Sequence, residues 1–182
     1  MTNIALPPRN DSNGLEARLL LAECRSPSFA TYGSASAQNC MQLMDLVLWN
    51  RVGHPRLFGA SSATLRAVVT ARGQFAGFGG YPSYDESIAH RIQEMVNIAN
   101  SARDGRSSAF RDHVQMAMDI ADAPTIQDPS PGLLCAWRTT GSGSPGSSFT
   151  AHATVLGNDF YFITRPLRGR QRRSARDGRY RR

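Results

Sequence analysis

The stretch Asn13-Gly-Leu15-Glu-Ala-Arg-Leu19-Leu-Leu-Ala-Glu23-Cys24-Arg-Ser-Pro27 decides how this chain is read. Asn13 is a candidate N-cap, and Glu16 follows it at the capping-box spacing. Leu15, Leu19 and Ala22 fall along one stripe of a helix, which Pro27 cannot continue. Glu23 lies at the edge of that stripe, in the last turn. A carboxyl group there faces the negative end of the helix dipole, which opposes ionisation. Partial burial beside the apolar stripe acts in the same direction. The pattern predicts a glutamate that keeps its proton near neutral pH, the state required of a general acid. The alternative is a glutamate that is simply solvated.

Outward from this segment, helical periodicity dominates. A Gly/Ser-rich turn at Tyr32–Ala37 leads to a helix over about Ala37–Val52, with Cys40, Leu43, Met44, Val47 and Leu48 on its apolar side and Gly53 and Pro55 at its end. A shorter helix over about Ser62–Ala71 precedes the loop Gly73-Gln-Phe-Ala-Gly-Phe-Gly-Gly-Tyr-Pro82. Ser83 and Glu86 have capping-box spacing for a helix to about Ala102, and another helix spans about Ser107–Asp122. Beyond Pro124 the pattern changes. Leu133–Thr139, Ala153–Leu156 and Phe160–Ile163 read as strands, with a flexible Gly/Ser-rich connection at Gly141–Ser148. The expected fold is α+β and mainly α, a helical domain with a small C-terminal β-hairpin.

Charge divides the chain unevenly. All 21 basic residues are arginine, and nine of them fall between Arg165 and Arg182 with one acid, Asp177. Residues 1–164 hold 12 arginines and 13 acids, so the body is close to neutral. Three divisions follow: an irregular lead over 1–12, a folded domain over 13–164, and an Arg-rich tail over 165–182 too charged to fold alone. A neutral body argues against sequence-specific nucleic-acid recognition. The tail is expected to bind anionic polymers weakly, if at all. Cys24, Cys40 and Cys135 are an odd number without a framework pattern, although their spacing leaves one bridge open; no metal-ligand spacing occurs, and neither a metal nor an organic cofactor is expected. The N-terminus lacks the basic start and apolar run of a secretory signal, so synthesis in the cytoplasm is expected.

The order of features resembles the spore-cortex-lytic type of cell wall hydrolase. The matching pieces are Leu19-Leu-Leu-Ala-Glu23, then Met44-Asp-Leu-Val-Leu-Trp-Asn50-Arg51-Val with Pro55 and Phe58, then Gly73-Gln74-Phe75, and finally His152 and Phe160-Tyr-Phe162. Together they cover about residues 15–164. The resemblance implies a lysozyme-like fold and cleavage of the bond from N-acetylmuramic acid to N-acetylglucosamine in peptidoglycan. It implies a lytic transglycosylase step in which Glu23 protonates the leaving oxygen and then, as a base, helps the muramyl 6-hydroxyl close on the anomeric carbon. One departure stands out. The family usually carries a second carboxylate four residues on, where this chain reads Cys24-Arg-Ser-Pro-Ser28. Either that acid is dispensable, or Asp85 or Glu86 approaches from elsewhere, or the chain binds glycan without cutting it.

Candidate substrate contacts are Gln74, whose amide suits acetamido or hydroxyl groups, Phe75 beside it, Tyr81 and Tyr84 as flat faces for sugar rings, and His152 near a strand. Each has a structural alternative: Gln74 satisfying backbone, the tyrosines packing the loop, His152 in the sheet. Asn50 and Arg51 are expected to cap or to form an internal ion pair, with substrate contact as the alternative. Trp49 and Trp137 read as core or cleft wall. Two rivals compete. Cys24 with a distant His152 would make a Cys/His peptidase or amidase acting on the peptide stems, although Cys24 falls at the helix end that does not favour a thiolate. A non-catalytic glycan-binding protein is the other. A wall substrate and no signal together imply export through a holin-type lysis route or a contact-dependent secretion machine. An effector role of that kind would bring a cognate immunity protein as a partner.

Overall fold

The computed structural model describes residues 3–164; the Arg-rich tail expected over 165–182 lies outside the described residues. Five helices and a three-stranded sheet make a mainly α, α+β fold: α1 Ser12–Glu23, α2 Ser34–Gly53, α3 Leu65–Val69, α4 Glu86–Ala99, α5 Ser107–Asp122, β1 Leu133–Thr139, β2 Phe149–Val155 and β3 Asn158–Ile163. A 3₁₀ turn at Pro55–Phe58 follows α2.

α1 is the axis of the molecule. Every residue from Gly14 to Leu21 is buried, and α2, α3, α4 and α5 all pack on it. The stripe read from Leu15 and Leu19 is only part of its apolar contact, because the helix is enclosed all round. Its polar residues are accommodated locally. Arg18 donates to the carbonyls of Pro7 (2.8 Å) and Gly14 (2.6 Å). Glu16 meets Asp45 of α2 in the interior. The N-cap is Asp11 and not Asn13, whose side chain instead donates to Asp122. With Glu16 turned inward to Asp45, the expected capping box does not form.

The irregular lead is nonetheless fixed. Ile4 and Asn100 exchange two 2.8 Å hydrogen bonds, and Pro7 and Pro8 lie so close over Gly14 that no side chain fits there. α4 begins later than expected. Asp85, and not Ser83, is its cap, accepting from the Ser87 N–H at 2.8 Å. α3 is shorter than expected and is capped by Thr64.

The expected hairpin is part of a larger sheet. β2 and β3 join through the two-residue turn Leu156-Gly157, both at positive φ (47° and 80°), the geometry of a primed hairpin turn. β1 then adds antiparallel to the other edge of β3, giving the order β1-β3-β2. Two cores result. One gathers Leu20 and Leu21 with α2, α4, α5 and the sheet. The other gathers Leu15 and Leu19 with Leu48, α3 and the 73–82 loop. Ala22 and Trp137 pack against both. Glu23 therefore leaves the end of α1 where the two cores meet.

Candidate active site

Glu23 is the last residue of α1, half-buried, and it borders an open cleft of about 280 Å³. That lies just below the range of ordinary ligand clefts, roughly 300–1,000 Å³. Arg51 from α2, Gln74 and Phe75 from the Gly-rich loop, and Trp137 and Thr139 from β1 line it with Glu23. Segments far apart in the chain thus converge on one carboxyl group. Glu23 also borders a smaller hollow of about 150 Å³ lined by Arg25, Phe29 and Arg91.

Burial raises the Glu23 pKa above the ordinary carboxyl range, while the Trp137 hydrogen bond and the Arg91 charge pull the other way. The Trp137 Nε1–H donates to Glu23 Oε2 at 3.3 Å. An indole N–H can only donate, so Oε2 is an acceptor there, and Oε1 is the oxygen left open to carry a proton. The Trp137 ring packs on Phe75, centroids 5.3 Å apart, which fixes the indole against the loop. Among the described residues lining the cleft, Glu23 is the single acid. Asp85 is engaged in capping α4, and Glu86 is exposed on its first turn. Neither supplies the second carboxylate.

Of the candidate contacts, Gln74 and Phe75 are brought to Glu23. Tyr81, Tyr84 and His152 are not among the cleft residues. The two tyrosines stack with Phe78, at centroid distances of 6.2 Å for Tyr81 and 5.2 Å for Tyr84. Packing the loop onto the second core is what these rings do, with Tyr81 only 5% exposed. His152 sets its ring against the Phe162 edge in the sheet, 6.3 Å between centroids.

Two residues gain importance that the sequence alone did not give them. Trp137 read as core or wall, and it holds the acid. Arg51 was expected to cap or to pair internally. It is buried, and its Nε–H donates to the Cys135 carbonyl (2.7 Å) and its Nη1–H to Gln74 Oε1 (2.8 Å). Its guanidinium lies over the rings of Phe58 and Phe75, 5.0 and 5.1 Å from their centroids. Burial lowers its pKa to about 10, still a cation at neutral pH. Asn50 does tie elements together, donating to Asp128 (2.9 Å) and to the Leu134 carbonyl (2.8 Å).

Cys24 is buried as the C-cap of α1, its thiol donating to the Ala37 carbonyl at 3.9 Å and lying beside Cys40. The Cys40 contact and burial push the Cys24 thiol far up, away from the thiolate a nucleophile needs. Among the described residues no group of three or more His, Cys, Asp or Glu could hold a metal ion. Comparisons with family models, with curated proteins and with solved structures return no match to this chain.

Proposed function

We propose that this chain cleaves the glycan strands of peptidoglycan, with Glu23 as general acid and then base. One observation carries the reading: a carboxyl group whose pKa is raised by burial ends the central helix and opens on a cleft shared with an amide and two aromatic rings. A protonated Oε1 would give its hydrogen to the glycosidic oxygen as the C1–O bond breaks. The resulting carboxylate would take the proton of the muramyl 6-hydroxyl as O6 bonds to C1, leaving a 1,6-anhydro end and a reprotonated Glu23. This route asks for one carboxyl group, in contrast to the two-carboxylate pattern of most glycosidases. The single acid of the cleft accords with it. The two hollows bordering Glu23 offer room for a sugar on either side of the broken bond. Trp137, partly exposed and backed by Phe75, supplies an apolar ring of the kind sugars stack on.

The Cys/His alternative draws no support from a buried, proton-retaining Cys24 and a His152 engaged with Phe162. The wall, reached after lysis or through a secretion machine, is the proposed place of action. The test is digestion of purified sacculi by the wild type and by Glu23→Gln, with products read by mass. Wild type is expected to release anhydro-muramyl ends. Glu23→Gln is expected to be slower by roughly 10²–10⁴-fold, the usual worth of a general acid or base. Released peptides would instead point to an amidase. Intact sacculi bound by wild type without release of anhydro-muramyl ends would point to a glycan-binding protein.

A further inference from the structure

Arg51 is an enclosed cation whose hydrogen bonds go to neutral oxygens: the Cys135 carbonyl at 2.7 Å and Gln74 Oε1 at 2.8 Å. A guanidinium has donors and no acceptor, so the amide oxygen is the end of Gln74 that must face it. The Nε2 end is left for the cleft, and among the described residues it has no hydrogen-bond partner. Arg51 is itself held, by the Cys135 carbonyl of β1 and by the Phe58 and Phe75 rings on its faces. The amide orientation therefore follows from a chain of fixed contacts running from α2 and β1 into the loop.

We propose that Arg51 is a positioning residue that fixes Gln74 as a hydrogen-bond donor in the Glu23 cleft, so that the site selects sugars bearing an acetamido carbonyl over the same sugars with a free amine. This rests on the glycan reading above. An acetamido oxygen accepts from the Gln74 N–H. A de-N-acetylated sugar presents an ammonium, which has only donors and also meets the Arg51 charge.

The test measures binding of tetra-N-acetylchitotetraose and of its fully de-N-acetylated counterpart by titration calorimetry. The full chain is used in the Glu23→Gln background, so that cutting is slow on the time of the titration. The acetylated tetramer is expected to bind at least about tenfold more tightly, the worth of one good hydrogen bond. Adding Gln74→Glu retains an oxygen for Arg51 but replaces the donors by an acceptor. It should abolish or invert the preference while leaving the melting temperature unchanged or higher. Arg51→Met frees the amide to turn and should reduce the preference several-fold; if that variant unfolds, Gln74→Glu decides. Equal binding of both tetramers overturns the inference, as does an undiminished preference in Gln74→Glu. If neither tetramer binds while sacculi are still cut in a Glu23-dependent way, the inference fails alone. If sacculi are not cut either, the glycan reading fails with it.

Discussion

Two opposing influences act on Glu23, and their balance can be altered one residue at a time. Burial raises its pKa, and the Trp137 N–H, which prefers a carboxylate to a carboxylic acid, lowers it. Trp137→Phe retains most of the apolar wall and removes the donor. The Glu23 pKa should then rise further, and because the protonated form is the acid, the alkaline limb of the cleavage pH profile should move to higher pH. A limb that stays put or moves down would mean that Glu23 is not the group titrating there. The place of Glu23 at the end of α1 was legible, since a carboxyl at the end of an apolar helix is a local pattern. Trp137 was not, because its partner lies 114 residues away in sequence and no local spacing records such a contact. Tyr81 and Tyr84 misled for a related reason: a Gly-rich loop rich in aromatics looks like a sugar platform until its rings are seen to stack on one another.

Between elements, the Glu16–Asp45 pair linking α1 to α2 brings two carboxyl groups together in the interior. Both are buried, and among the described residues Glu16 Oε1 and Asp45 Oδ1 have no hydrogen-bond partner. Burial, aided by Asp45, pushes Glu16 up to about 10 from an ordinary 4.5. Between those values the folded chain holds a proton that the unfolded chain has released. The stabilising effect of that proton is complete below pH 4.5 and is lost as pH rises toward 10. Glu16→Gln, which never ionises, should flatten this decline, gaining more than about 1 kcal/mol over wild type at alkaline pH by denaturant titration. An unchanged slope of stability against pH would refute the assignment. The 73–82 loop offers a second test. Gly77 sits at φ +80°, and a Cβ there would run into Ile88 and Asp85. Gly77→Ala should cost about 1–3 kcal/mol and weaken cleavage by displacing Gln74; a melting temperature equal to wild type would contradict this. Most elements could be read from periodicity, α5 to its ends, because amphipathic helices write their burial into sequence. α1 could not be read fully. A helix enclosed on every side loses that contrast, and its charged residues are hidden by partners at Pro7 and Asp45. β2 begins at Phe149, earlier than its sequence suggested, because it is a largely uncovered edge strand with no clean alternation.

Across the whole molecule, the division into two cores joined along α1 sets what can move. The Gly-rich loop belongs to one core and the sheet carrying Trp137 packs mainly with the other, so the cleft lies on their seam. The proposed acid is rooted in neither rim but in the helix common to both. In most enzymes the working groups ride on loops that loosen well before the scaffold gives way. Here the amides of Leu19, Leu20 and Leu21 should exchange with deuterium only when the entire domain opens. Loss of activity on heating should coincide with the loss of helical circular dichroism instead of preceding it. On the proposed reading no half-melted, inactive intermediate is expected: the cutting would persist until the chain unfolds.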